Sequence, residues 1–356
     1  MKICIVSKFP PIEGGIAAKT YWLAKGLAEA GLEVHVVTNA LAVEDDYRIK
    51  MDNYGNDLPP GVFVHNVKTE TPWHIPYSPL YLDKLLDKVL EICREYSIDL
   101  LDSNYLVPYG TTAYLASTLT GIPYIIRHGG SDIIKFWEAQ QLPELLHRTI
   151  AGASAVVTEN PELARYNPNC VDMARYVADE RYFKPSTINR NEPTYAFIGK
   201  INYYWHYRGL EKILSFYREH AHNSKLLFMA QGRGKKTFIR ECKPNEVTFL
   251  DFILPWEIPL FLQQVDYLFY PVKDNPIKDF ANIVVEAVAC GASILTDDLS
   301  SFDCYQTSFN VPHHVFLMDD FKQENVAKIK NDCLLTTNFA DYLEQNIHLY
   351  KKILKI

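Results

Sequence analysis

The feature that most constrains the fold is a strand–loop–helix–strand unit at the start of the chain. Ile3 to Val6 read as a buried strand, and a Pro- and Gly-rich loop follows it as far as Gly14-Gly15. The next segment has apolar residues at helical spacing and stops at Gly31, and Val34 to Val37 form a second strand. This order predicts the opening of a parallel α/β unit.

The same alternation continues along the chain and then restarts after a polar interruption. Tyr166 to Asn191 lack the alternation and are rich in Asn and Pro, and Tyr195 to Ile198 begin a second series of strands and helices. A chain of 356 residues exceeds what one hydrophobic core usually supports. We therefore predict two α/β domains of similar size, residues 1–180 and 194–335, with a linker over 181–193 and a final helix over 336–356.

Charge and composition exclude several classes of protein. The net charge of −7 argues against binding nucleic acid through a basic face. Seven scattered cysteines, without a C-x-x-C pair, are typical of buried thiols in a reducing compartment. The first residues enter a strand directly, and no apolar run is long enough to cross a bilayer. We expect a cytoplasmic protein, and its acidic balance gives no support to peripheral contact with a membrane.

The most informative stretch runs from Lys278 to Gly291. It reads as a loop that becomes a short helix near Asn282, with no acidic residue in the first turn. Free backbone N–H groups and the helix dipole make such a terminus suited to a phosphate group. Glu286 lies one turn into this helix, where its carboxylate can accept hydrogen bonds from sugar hydroxyls.

Two further loops are candidates on residue type alone. The loop ending at Gly14-Gly15 fits either a pyrophosphate contact or an ordinary tight turn, since its spacing differs from G-x-G-x-x-G. His128 follows a buried strand, at the edge where α/β sheets bind ligands. It is either a site residue or a cap for that strand.

Five motifs together resemble the retaining, nucleotide-sugar-dependent glycosyltransferases of family 4, and the resemblance runs nearly from end to end. The last motif is the most specific, because it matches the family pattern E-G-F-G-N-V-x-x-E-A-x-A-C-G. In chain order, the motifs are Gly14-Gly15; His128-Gly129 with Ser131-Asp132; Val177 to Pro185; Gly199-Lys200 with Arg208-Gly209; and Lys278 to Gly291.

The resemblance implies a GT-B architecture. Two Rossmann-like domains would face each other across a cleft, with the acceptor side in residues 1–180 and the nucleotide sugar bound by 194–335. The helix over 336–356 would cross back and pack on the N-terminal domain.

The resemblance also implies roles for individual residues. Lys200 and Arg208 would stabilise the departing diphosphate, Glu286 would bind the nucleotide ribose, and His128 would lie against the donor sugar. Without the family match, the two cations would read as surface residues. The remaining donor-binding positions are Gly14, Gly15, Gly199, Lys278, Asp279, Phe280, Ala281 and Asn282.

This chain departs from the family at the first position of the last motif. Lys278 stands where the family has the first of two Glu residues, and Asp279 and Ala281 replace the glycines beside the aromatic residue. The family's first Glu contacts the transferred sugar, so a cation there would favour a donor or acceptor that carries a carboxylate or phosphate. Asp279 could supply the missing carboxylate, or Lys278 could simply face solvent.

The implied reaction transfers a sugar from a UDP- or GDP-type donor to a hydroxyl of a sugar, a lipid-linked or a small-molecule acceptor, with retention. We expect no cofactor and no metal, because Lys and Arg would provide the positive charge. Two alternatives remain at this stage. One is a sugar-nucleotide epimerase on the same architecture, and the other is a non-catalytic subunit that binds sugar nucleotides.

Overall fold

The computed structural model describes residues 1–51, 58–68, 79–128, 143–158, 161–187, 192–221, 223–275, 280–321 and 335–356, without the side chains of residues 79–81, 161 and 205. The chain divides into two compact units. Unit 1 contains Met1–Arg175 together with Ala340–Ile356, and unit 2 contains Tyr176–Phe339.

A parallel sheet forms the centre of unit 1. Within the described residues it has seven strands in the order β3-β2-β1-β4-β5-β6-β7. The chain order reverses between β1 and β4, which makes that pair the topological switch point of the sheet. The strands are β1 (Lys2–Val6), β2 (Glu33–Thr38), β3 (Val62–Asn66), β4 (Leu100–Asn104), β5 (Tyr124–Arg127), β6 (Ala155–Val157) and β7 (Cys170–Val171).

The helices of unit 1 connect these strands and cover the sheet. Leu23 and Leu27 on α1 are buried, as the helical spacing of the sequence requires. Helix α3 (Thr111–Thr120) is followed by Gly121, whose φ of 76° is a left-handed conformation that favours glycine. These helices are α1 (Gly15–Glu29), α2 (Pro79–Tyr96), α3 (Thr111–Thr120) and α4 (Pro143–Ala151).

Unit 2 repeats this plan with a second parallel sheet. Its order is β10-β9-β8-β11-β12-β13, so the switch point lies between β8 and β11. The strands of the described residues are β8 (Thr194–Lys200), β9 (Lys225–Gln231), β10 (Thr248–Leu250), β11 (Tyr267–Phe269), β12 (Ser293–Thr296) and β13 (Val315–Leu317). The helices are α5 (Tyr204–His220), α6 (Lys235–Ile239), α7 (Ile258–Leu262), α8 (Asn282–Ala289) and α9 (Val311–His314).

The last helix, α10 (Phe339–Leu354), packs on unit 1 through a buried polar network. Arg127 in β5 donates from Nη2 to Asp102 Oδ2 at 2.7 Å and to Asn346 Oδ1 at 2.6 Å. Tyr350 donates its hydroxyl to Asp102 Oδ2 at 2.6 Å. All four side chains are almost fully buried, so the network satisfies a charge pair that would otherwise be costly in the interior.

Some element bounds differ from the sequence analysis. The polar stretch from Tyr166 contains β7, because two residues are enough to pair with β6 but too few to show an alternating pattern. The predicted site residues Lys278 and Asp279, and the motif residues Gly129, Ser131 and Asp132, lie outside the described residues.

Candidate functional site

The N-terminus of α8 is the centre of the candidate site in unit 2. Ala281 precedes the helix in an extended conformation, no side chain caps it, and the first turn has no acidic residue. The Ala281 N–H donates to the hydroxyl of Tyr305 at 2.6 Å. The rings of Phe280 and Tyr305 stack, with their centres 4.6 Å apart. Tyr305 therefore fixes the entry of the chain into α8, a support that sequence reasoning did not identify.

Glu286 lies one turn into α8, as predicted, and its carboxyl group is buried. Its exposed fraction is 4%, and its Oε1 accepts a hydrogen bond of 2.7 Å from the hydroxyl of Tyr176, itself 1% exposed. Burial raises the pKa of Glu286 to about 7, and the hydrogen bond from Tyr176 acts in the opposite direction. The carboxyl group therefore changes charge near neutral pH.

Lys200 is the last residue of β8 and stands at the switch point of the unit 2 sheet. Strand β11 pairs with β8 in parallel and leads into the loop that precedes α8. Lys200 is half-buried. The pKa of His206 is lowered by the burial of its own ring and by the positive charge of Lys200. Ligands of α/β sheets bind at this edge, and Lys200 is therefore suitably placed for an anion.

Arg208 lies about one turn into α5, the helix that follows β8, and is exposed. Its Nε donates to the hydroxyl of Tyr204 at 2.9 Å, and its guanidinium carbon lies 4.8 Å from the centre of the Tyr204 ring. This hydrogen bond is the main cause that raises the pKa of Arg208. Tyr204 therefore holds the guanidinium by both a hydrogen bond and a cation–π contact.

Gly209 explains how α5 comes close to the loop after β11. A Cβ atom at this position would lie 2.8 Å from Cγ of Pro271, which is closer than real Cβ atoms approach. Beside this contact, Arg208, Lys273 and Asp274 line a groove of about 840 Å³. A larger residue at position 209 would push these two elements apart.

The same groove is lined by a cluster of charged residues that the sequence analysis did not identify. Lys212 on α5 donates to Asp297 Oδ2 at 2.6 Å and to Asp274 Oδ2 at 3.0 Å. Asp297 Oδ1 in turn accepts from the backbone N–H groups of Val272 and Lys273, at 2.7 and 2.9 Å. Lys212 and Asp297 therefore fix the loop that leads from β11 towards α8.

The predicted residues of unit 1 lie at the carboxyl edge of its sheet. Gly14 precedes α1 with φ of 107°, a conformation that favours glycine, and both Gly14 and Gly15 are exposed. His128 follows β5, its backbone N–H donates to Val157 O, and its Nδ1 lies 3.2 Å from Thr158 Oγ1. His128 therefore has Thr158 as a partner. Gly14-Gly15 and His128 both lie at the carboxyl edge of the unit 1 sheet.

Asn104 is a further polar residue at that edge, and no sequence motif indicated it. It ends β4, beside the switch point, and is 1% exposed. Among the described residues, neither its amide nitrogen nor its amide oxygen has a hydrogen-bond partner. Because burying an amide without partners costs free energy, this position calls for a functional or solvent partner.

Two further features of the described residues bear on membranes and metals. No helix among them is long and apolar enough to cross a membrane. The same part of the chain contains no group of three or more His, Cys, Asp or Glu side chains arranged to hold a metal ion.

Comparison with known proteins identifies the fold as GT-B. The chain aligns over its whole length with sucrose-phosphate synthase from Thermosynechococcus elongatus, covering 99% of that chain with a TM-score of 0.71 at 14% identity. It also aligns with UDP-GlcNAc 2-epimerase from Methanocaldococcus jannaschii, with 99% of this chain and 100% of that chain covered, a TM-score of 0.62 and 12% identity. The predicted α/β fold with two parallel sheets is confirmed.

Sequence comparison points to one class of enzyme on this fold. Residues 14–169 match the family described as glycosyl transferase 4-like domain. The chain is 26% identical to N-acetyl-alpha-D-glucosaminyl L-malate synthase from Bacillus anthracis over 193 residues. The aligned segment covers 52% of this chain. The match spans 48% of that relative's length. Together these similarities support a glycosyltransferase with the GT-B fold.

Proposed function

We propose that the protein transfers a sugar from a nucleotide-diphosphate sugar to an acceptor hydroxyl. The observation that carries this proposal is the position of Glu286, one turn into a helix whose first turn has no acidic residue. This helix belongs to the second α/β unit, and the glycosyl transferase 4-like match covers residues 14–169. A helix N-terminus suits a phosphate, and a carboxylate one turn further suits a ribose hydroxyl.

The reaction asks the protein mainly to stabilise a leaving group. The bond between the anomeric carbon and the diphosphate oxygen breaks, a bond to the acceptor oxygen forms, and the acceptor proton passes to the departing phosphate oxygen. Lys200 and Arg208 would neutralise the charge that develops on the diphosphate, with Arg208 as a bidentate donor. Such electrostatic stabilisation is worth roughly 3 kcal/mol of the barrier for each well-placed donor.

Nucleotide binding would change some contacts of unit 2. The Ala281 N–H donates to Tyr305, so a phosphate that uses this amide would replace the tyrosine hydroxyl. Arg208 is exposed and rests on Tyr204, so its guanidinium can turn to a ligand at the cost of one exposed contact. In unit 1, the exposed Gly14 and Gly15 would allow close approach of a phosphate, and His128 would donate to the donor sugar.

The names of the similar proteins make UDP-N-acetylglucosamine the first donor to test. One similar structure is a UDP-GlcNAc 2-epimerase, and the curated relative joins an N-acetylglucosaminyl group to L-malate. L-Malate carries two carboxylates beside its hydroxyl, a chemistry that suits the cation Lys278. Hydroxy acids therefore come before lipid-linked and sugar acceptors in our proposal.

Retention of configuration and independence of a metal are parts of the same proposal. Retention is the outcome that the resemblance to family 4 enzymes implies, and we carry it over as part of the proposal. The two cations Lys200 and Arg208 can supply the charge that a divalent ion provides in other transferases. Activity that persists in EDTA and a product with the donor's anomeric configuration are the expected results.

Epimerisation of the donor is the second candidate function, favoured by the similarity to UDP-GlcNAc 2-epimerase. An epimerase converts its nucleotide sugar without an acceptor and without net release of nucleotide. A non-catalytic subunit would bind the donor and do neither. Nucleotide release that requires an acceptor separates the transferase from both alternatives.

The test is a panel of UDP- and GDP-sugars, each with L-malate and with simple sugars, read out as nucleotide release. We expect release from a UDP-sugar only when an acceptor is present. Binding of a donor without release from any donor–acceptor pair would contradict the transferase. In the same panel, Lys278→Glu should shift acceptor or donor preference from carboxylate-bearing to uncharged molecules, and an unchanged preference would remove Lys278 from the site.

A further inference from the structure

Tyr176 makes a contact that neither the motifs nor the comparisons assign. It is the first residue of unit 2, far from α8 in sequence, and its hydroxyl donates to Glu286 Oε1 at 2.7 Å. Exposed fractions of 1% for Tyr176 and 4% for Glu286 mean that water is largely excluded from the pair. A hydrogen bond to a carboxylate in such surroundings is stronger than one at the surface.

Because of this contact, the two oxygens of the Glu286 carboxyl group have different roles. Oε1 accepts the hydrogen bond from the tyrosine, and a ligand hydroxyl would bind to Oε2. Because both side chains are buried in the same unit, the hydrogen bond restricts the orientation of the carboxyl group. A carboxylate held in this way requires less reorganisation when a hydroxyl binds.

We propose that Tyr176 is a positioning residue for the nucleotide site, which orients the Glu286 carboxyl group towards the ribose. The inference rests on the proposed function, since it gives Glu286 the ribose as its ligand. It adds a residue on which the strength and the pH dependence of nucleotide binding depend.

The second consequence concerns the charge of Glu286. Burial favours the protonated form and raises the pKa of Glu286 to about 7, whereas the hydrogen bond from Tyr176 favours the ionised form. Cys290, one turn further along α8, also has its pKa raised by burial and by the charge of Glu286. In the described part of the chain, Tyr176 and Cys290 are the titratable groups that bear on this carboxyl group.

Tyr176→Phe is the direct test, because it removes the hydroxyl and keeps the ring. With UDP as the probe, we expect affinity to fall about tenfold at pH 7, as expected for loss of a hydrogen bond to a charged group. The ionised carboxylate binds the ribose, so wild-type affinity should rise with pH through about 7. In Tyr176→Phe the midpoint of this rise should move to higher pH, and the loss at pH 9 should be smaller than at pH 7.

Tyr195→Phe is a matched control in the same unit. Tyr195 is also 1% exposed, but its hydroxyl has no hydrogen-bond partner within the part of the chain that the structure describes. This variant should leave both UDP affinity and its pH profile unchanged. Using the ratio of affinities of variant and wild type at each pH removes the titration of the nucleotide's own phosphate. With 3′-deoxy-UDP or 2′-deoxy-UDP, whichever lacks the contacted hydroxyl, the ratio should approach one.

A ligand-free measurement separates failure of this inference from failure of the proposed function. The carboxyl signal of Glu286, assigned by its loss in Glu286→Gln, should titrate at higher pH in Tyr176→Phe than in the wild type. If the wild type binds no nucleotide, the proposed function fails, and this titration still decides whether Tyr176 controls the carboxyl group. Equal or tighter UDP binding by Tyr176→Phe, or an unshifted Glu286 titration, would overturn the inference.

Discussion

Tyr350 in α10 donates a 2.6 Å hydrogen bond to the carboxylate of Asp102 in β4, joining residues 248 positions apart. Arg127 donates to the same carboxylate from Nε and Nη2, so the oxygens of Asp102 are shared between a cation and a phenol. The last helix of the chain is thereby connected to the centre of the unit 1 sheet. Its C-terminal residues complete the core of the domain formed by the first half of the sequence.

Asp102→Asn should destabilise unit 1 strongly. The substitution leaves the buried guanidinium of Arg127 without its counter-charge, a change that costs about 3–5 kcal/mol. Tyr350→Phe should cost less, about 1.5–3 kcal/mol, because it removes one hydrogen bond to a charged group. Urea unfolding provides the measurement. The control is Glu144→Gln, in the exposed pair with Arg148, for which we expect less than about 1 kcal/mol; a similar loss in the control would contradict the account.

His65 should make the stability of the protein depend on pH in the acidic range. His65 Nε2 lies 2.9 Å from His35 Nδ1, and Glu33 lies 3.0 Å from the other nitrogen of His35. Burial, the neighbouring His35 and the cation Lys88 lower the pKa of His65 to about 4. The carboxylates of α2 that bear on this group oppose the shift; they are Glu91 and Glu95.

The sign of this effect follows from proton binding. Between pH 6.5 and about 4, the unfolded state binds the proton that folded His65 excludes, so the free energy of unfolding falls as the pH falls through this range. Because His65 is half-buried, we expect a loss of about 1–2 kcal/mol after solvent screening. Unfolding of His65→Gln at pH 7.5 and pH 4.5 should show a smaller difference than the wild type. An equal difference in both proteins would exclude His65 as the cause.

Arg208→Ala should reduce transfer more than it reduces stability. Loss of one charge-stabilising donor costs about 10²- to 10³-fold in kcat/KM, whereas Arg208 is exposed and contacts mainly Tyr204. Arg218→Ala is the matched control, because Arg218 lies on the same helix and pairs with Glu246. We expect the control to keep activity within about threefold. Equal losses in steady-state kinetics of the two variants would mean that Arg208 acts only as a surface cation.

Asn104→Leu should stabilise the protein. The Asn104 amide is buried without a partner, so a leucine of similar shape avoids its desolvation cost, and we expect a gain of about 1–2 kcal/mol. Asn167→Leu is the opposite case, since the Asn167 amide donates to Ile150 O and Ala153 O at 2.8 Å. That variant should lose about 1–3 kcal/mol. A loss of stability in Asn104→Leu, measured by thermal unfolding, would show that Asn104 has a partner in solution.

Periodicity and turn residues predicted the fold class because they act locally. Strand β1, helix α1 and strand β2 follow from apolar runs, helical spacing and the glycine at position 31. Helix α8 begins at Asn282, where the sequence placed its start, and its first turn lacks an acidic residue. The short strand β7 was missed, because two residues carry no period.

The supports of the candidate site could not be predicted in the same way. The hydrogen bond of Tyr176 with Glu286 joins residues 110 positions apart, and the Lys212–Asp297 pair joins residues 85 apart. No local pattern indicates which buried tyrosine or surface lysine will meet which carboxylate. The motif identified Glu286 itself, whereas its partner became visible only when the chain folded back on α8.

The most direct test of the central claim is to follow the reaction of UDP-N-acetylglucosamine and L-malate by proton NMR. The account predicts that UDP and a glycosylated acceptor appear together, that neither forms without acceptor, and that the anomeric proton keeps the small coupling of the α-linked donor. Glu286→Gln should slow both signals. Conversion of the donor to its 2-epimer without an acceptor, or a donor that stays unchanged with every acceptor in the panel, would contradict the claim.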